Sequence, residues 1–264
     1  MLGKLIKYDL KWSIKLIAIF LGLGVIFTTL GMLFSLIPNS LLFEIITNIC
    51  KGASVAMFAN ALCNSIFRSW ARMNLSFYKD ESYLTHTIPV SKQVHLASKV
   101  ISQLILIIST ATLMILAILI MYVDKNTFEY LKTFIEFTSE ALNTSIAWLI
   151  IIFSLIILFE ILFLAFCGNF GIVVGHIFNK KKITMSFIFG VIPYFILQNI
   201  LIIILLILSI FNKDIYNIIF EKSSIMSYNS MMLISYVSIV VYTIFTIVLY
   251  ILTNHFFKKG VNVD

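Results

Sequence analysis

Apolar residues follow one another along this chain in runs longer than any strand, and short polar segments separate them. Each run approaches or exceeds the roughly 20 residues that a helix needs to cross a hydrocarbon core of about 30 Å. Read in order, the pattern predicts spans at 16–37, 41–67, 100–123, 145–167, 184–210 and 230–252. Backbone groups left unpaired in hydrocarbon are too costly for anything but helices or closed barrels, and these runs lack the short alternating strands of a barrel. The expected fold is an all-α integral membrane protein with six transmembrane helices, forming a single transmembrane domain over 1–264.

The polar positions refine this reading. Lys4, Lys7, Lys11 and Lys15 recur at three- and four-residue spacing with Leu2, Leu5, Ile6 and Trp12 on the other sides, which predicts an amphipathic interfacial helix over 1–15. Pro38-Asn39-Ser40 predicts a tight turn. The second run is the least apolar: Glu44, Asn48 and Lys51 share a narrow arc of the helix, either as part of a path through the membrane or as a polar lock. Asn60 and Asn64 fall on the opposite face, where interhelical hydrogen bonds are expected. The longest polar interruption of the first half runs from Phe77 to Gln93; Asp80 is placed to cap a short helix, and Pro89 to open the next.

Further on, Asp124–Thr144 forms a longer acidic connection that is either a surface helix or a solvated loop. Glu160 lies inside the fourth run and Gln198-Asn199 inside the fifth, where Pro193 is available to kink the helix. Gly168, Gly171 and Gly175 predict close helix packing, and Ile215, Ile218, Ile219 and Phe220 allow a short helix after the fifth span.

Composition agrees with the pattern. Of 264 residues, 61% are hydrophobic and 12% charged, with a mean hydropathy of +1.04, more apolar surface than a soluble domain of this size encloses. The net charge of +7 comes without the soluble groove or aromatic platform of a nucleic-acid domain, so it belongs to a membrane surface and no nucleic-acid partner is expected. The termini and the loops at 68–99 and 179–183 together carry 14 of the 19 Lys and Arg, which places both termini and these loops in the cytoplasm. Cys50, Cys63 and Cys167 all fall inside apolar runs and read as buried small residues, and the four histidines share no metal-ligand spacing.

The string Phe77-Tyr78-Lys79-Asp80-Glu81-Ser82-Tyr83-Leu84-Thr85-His86-Thr87-Ile88-Pro89-Val90-Ser91-Lys92, followed by Ser98-Lys99, resembles a segment of bacterial ATP-binding-cassette permeases of the type-2 exporter class, as does the opening Met1–Lys11. Ser82 stands where many of those relatives have glycine. The resemblance implies a permease in the bacterial cytoplasmic membrane, with a cytoplasmic coupling helix between the second and third spans that docks into a separate ATPase subunit. It assigns coupling to Asp80, Glu81, Tyr83, Leu84, Thr85, His86 and Pro89. It also implies a second permease subunit, identical or related, and a path at their interface. For that path Glu44, Asn48, Lys51, Glu160, Gln198 and Asn199 are the candidate residues.

The remaining motifs are consistent with a subunit that performs no chemistry of its own. A phosphate-cradling Gly-x-x-x-x-Gly-Lys-Ser/Thr is missing, since the only Gly-Lys pair, Gly3-Lys4, runs into Leu5. Neither the His-Glu-x-x-His of a zinc protease nor the paired Glu-Glu of an intramembrane abortive-infection-type protease occurs. The chain is therefore expected to be no enzyme and to hold no cofactor or metal, with MgATP in the partner subunit and lipid around the spans. An amphipathic or lipophilic cargo such as a peptide or drug is expected. Two other readings stay open: an ion- or proton-coupled secondary transporter or channel using Glu44, Lys51 and Glu160, and a scaffold or sensor subunit that transports nothing.

Overall fold

The computed structural model describes residues 1–37, 40–122, 133, 146–220 and 228–259, and every regular element among them is helical. The helices are α1 (Leu2–Ser35), α2 (Leu41–Tyr78), α3 (Ser82–Thr87), α4 (Lys92–Tyr122), α5 (Ile146–Gly175), α6 (Lys182–Phe211), α7 (Lys213–Phe220) and α8 (Tyr228–Lys259). Six of them, α1, α2, α4, α5, α6 and α8, are long and apolar enough to cross a membrane. The turn expected at Pro38-Asn39 and nearly all of the connection at 124–144 lie outside the described residues.

Residues 2–15 do not form a separate helix. Nothing between Lys4 and Leu21 breaks a helix, so the basic segment and the first span run on as α1. At 1.5 Å per residue its 34 residues extend about 50 Å, well beyond a hydrocarbon core. The same overshoot carries α2 on from Phe67 to Tyr78 and starts α4 at Lys92 instead of near residue 100. Charged residues in these overhangs are thereby held on rigid helix.

The helices gather into two compact units, α1–α4 in one and α5–α8 in the other, as expected where consecutive helices are joined by short connections. In the first unit, α1 buries Gly24, Thr28 and Gly31 against a seam of α2 that buries Cys50, Ser54 and Phe58. Thr28 Oγ1 and Ser54 Oγ are 2.7 Å apart, and Ser54 Oγ also lies 3.1 Å from the Gly24 carbonyl. A Cβ at Gly24 would press into the Phe58 ring. Ile17, Ala61 and Leu106 join α1, α2 and α4 into one core.

In the second unit, α5 meets α6 through Gly171 and Gly175, where an added methyl group would collide with the backbone of Ser186 and, at Gly171, of Gly190 as well. This is the close packing that the glycine spacing predicts. Ring contacts Phe163–Tyr242, Phe166–Tyr250 and Phe170–Phe256 climb together along α5 and α8, so these helices run parallel and end together. The basic turn Lys180-Lys181-Lys182 and Lys258-Lys259 consequently lie toward the same end of this unit. Asn212 opens α7 by accepting from the Asp214 and Ile215 N–H groups, and Ile215 is buried.

Two further expectations need correction. Asn60 and Asn64 do not bridge helices: each amide donates 2.9 Å back to the carbonyl four residues earlier on α2, an acceptor always within reach of a side chain on its own helix. Cys50 and Cys167 are buried but Cys63 is exposed, because an apolar run in a membrane helix has a lipid-facing side as well as a packed one.

Candidate functional site

The overhanging ends of α1, α2 and α4 meet around Asp9. Its carboxylate, 4% exposed, accepts from Arg72 Nε at 2.9 Å and from Lys99 Nζ on the same oxygen, while Ser98 Oγ reaches the other oxygen at 3.4 Å. Arg72 then donates through Nη1 to Glu81 Oε2. One guanidinium thus ties the N-terminal helix to the polar loop, and two carboxylates balance two cations in a site mostly closed to water. Burying such charges is costly unless each is paired, so removal of one member leaves the others stranded.

The loop is built on this anchor. Glu81, at the N-terminal boundary of α3, makes no side-chain cap; its carboxylate is turned back to Arg72. The cap expected from Asp80 is not formed, since α3 begins at Ser82 with Glu81 at its N-terminal boundary. The Glu81 carbonyl accepts from Thr85 N–H and Oγ1, and His86 Nε2 donates 3.2 Å to the Phe77 carbonyl. Phe77 and Tyr78 beneath are buried.

Pro89 does not open the next helix either. Ile88 is extended, as a residue before proline prefers, its carbonyl accepts from Val90 N–H in a tight turn, and α4 starts only at Lys92. On the outside of α3, Tyr83 is 78% and Leu84 65% exposed, with Ile88 exposed beside them. The segment 80–89 is thus a short helix fixed at its root and apolar at its tip.

The path candidates are distributed differently. Glu44 and Asn48 are exposed on α2 and Lys51 is half-buried. In the second unit Tyr194 Oη donates 3.4 Å to Glu160 Oε1, and Gln198 Nε2 donates 3.5 Å to Tyr242 Oη, so α5, α6 and α8 carry one polar belt. Asn199 is exposed and donates to the Phe195 carbonyl of its own helix. Beside Gln198 a cleft of about 270 Å³ opens between α6 and α8, lined by Leu201, Leu205, Leu208, Ile234 and Val237.

Asp9, Arg72 and Lys99 escaped the sequence reading as a cluster, and so did Tyr194 and Tyr242. For the tyrosines a local signal existed, because Tyr194 precedes Gln198 by one helical turn inside an apolar run. Comparison with protein-family models, with curated proteins and with solved structures finds no match to the chain.

Proposed function

We propose that this chain is the transmembrane subunit of an ATP-driven exporter of the type-2 ATP-binding-cassette class in a bacterial cytoplasmic membrane. Both termini face the cytoplasm, and the chain works with a separate ATPase and a second permease subunit, identical or related. The observation that carries this reading is the pairing of an exposed Tyr83-Leu84-Ile88 tip with a root tied through Glu81 and Arg72 to buried Asp9. An apolar tip on a polar loop favours a protein partner. An anchored root passes any push on the tip to α1, α2 and α4, which would shift populations between inward- and outward-facing arrangements.

Sidedness supports the orientation. The N-terminal end of α1, the C-terminal end of α2 and the start of α4 meet at one end of the first unit, and the basic ends of α5, α6 and α8 gather in the second. The cleft beside Gln198, mostly apolar with the Gln198 amide and the Ser238 hydroxyl in its lining, suits an amphipathic or lipophilic cargo. The test is purification of the tagged chain from its native membrane under mild detergent, followed by an ATPase assay. A co-purifying Walker-motif subunit with ATPase activity is expected, and a chain that comes alone and reconstitutes with no ATPase refutes the reading.

The Glu160–Tyr194 pair favours a second reading, an ion- or proton-coupled carrier. Such a carrier would transport in vesicles that contain this chain alone and no ATP.

A further inference from the structure

Arg68 and Arg72 stand one turn apart on α2 and meet opposite fates. Arg72 spends its charge on Asp9 and Glu81. Arg68 has no carboxylate within ion-pair distance among the described residues, and of its five N–H donors only one finds an acceptor, the Trp12 carbonyl at a long 3.4 Å. Its Nε is buried with no hydrogen-bond partner. One face of the guanidinium is covered, because its carbon lies 3.8 Å from the centre of the Trp12 indole. What remains is a partly buried cation, clamped between α1 and α2, with donors in its plane unused.

A buried, unsatisfied donor on a charged group is costly, and the groups that answer it best are anions able to accept two parallel N–H bonds. Asp9, the nearby buried carboxylate on α1, is already shared by Arg72 and Lys99. Depth then selects the anion. Arg68 is the first charged residue after the apolar run of α2, and Phe67 before it is exposed. This is where acyl chains give way to phosphates. Lys11, adjacent to Trp12, and Lys15, about one turn further along α1, are both exposed and add positive charge at the same end. A zwitterionic headgroup brings its own cation to its phosphate, whereas a net-anionic one leaves the phosphate for the protein.

We infer that Arg68 and Trp12 form a site for the phosphate of one anionic phospholipid, with the guanidinium fork on the phosphate, the indole fixing the fork, and the acyl chains descending past Phe67. The site stands whether or not the chain pairs with an ATPase. It joins α1 to α2 one turn from the Asp9 node, so an occupied site stiffens the same end of the first unit.

The test uses the full-length chain with Trp70→Phe and Trp148→Phe, leaving Trp12 as the only indole. It is reconstituted in phosphatidylcholine vesicles containing either brominated phosphatidylglycerol or brominated phosphatidylcholine, whose bromines quench an indole they touch. The expected result is a saturable preference for the anionic lipid of about fivefold, the equivalent of one cationic contact. Arg68→Gln removes that preference, and Lys15→Gln lowers it by less. Equal quenching by the two lipids in the parent, or an undiminished preference in Arg68→Gln, overturns the site. If Arg68→Gln does not fold, the parent comparison alone decides. Added inorganic phosphate should leave the quenching unchanged; if it abolishes the preference, the site belongs to a soluble phosphate and the lipid assignment is wrong.

Discussion

The two units solve one problem by different means. In hydrocarbon the hydrophobic effect gives helices no reason to prefer each other over lipid, so packing, hydrogen bonds and charge must hold them. The first unit ties its helix ends with a charge node, in which Asp9, Arg72 and Lys99 close three overhangs around one carboxylate oxygen. The second holds α5 to α6 by backbone approach at Gly171 and Gly175, and α5 to α8 by a ladder of rings. A glycine seam has one fit and does not respond to charge. An ion node with a 41% exposed outer member, Glu81, can be reset by a charge brought close to it. On the proposed function, the moving part would therefore lie in the first unit.

The largest expected effect breaks the node. Asp9→Ala strands buried Lys99 and leaves Arg72 with only Glu81, and thermal unfolding of the purified protein should show a loss of about 3–5 kcal/mol. Adding Lys99→Met should recover part of that loss, because members of one network do not act additively. Next comes the seam of the second unit: Gly175→Val should cost about 1–3 kcal/mol or more by the same measurement. Gly190→Ala, whose methyl group would meet only ordinary contacts, should be nearly silent.

Glu81→Gln sharpens the contrast between stability and action. Its exposure limits the stability loss to about 1 kcal/mol or less. On the proposed function it should nonetheless lower transport per ATP hydrolysed in proteoliposomes, with assembly intact. The smallest effect is expected for Asn60→Ala, within about 0.5 kcal/mol, since that amide serves only its own helix. A larger loss would restore the interhelical role that its position on the helix first suggested.

The six spans were legible because hydropathy is a local property and each run is long enough to declare itself. The polar loop was legible too, as was the glycine seam of α5. The node was not, since Asp9 finds its partners 63 and 90 positions away and nothing near Asp9 in the chain announces them. The overhangs were missed for a related reason: hydropathy ends a span where charge begins, whereas the helix ends only where the backbone turns, at Lys79 for α2. The Asp80 cap failed because Glu81 stands at the helix boundary and turns its carboxylate to Arg72, and the Pro89 start failed because the chain makes a tight turn from Ile88 to Val90 before α4 begins at Lys92.

The central claim is that the tip of α3 meets an ATPase, and photo-crosslinking in native membranes tests it most directly. A photoreactive residue at position 83 or 84 should capture a Walker-motif subunit, and one at exposed Leu41, at the other end of α2, should not. Capture of that subunit from Leu41, or no capture of it from either tip position while the chain is folded in the membrane, would contradict the account.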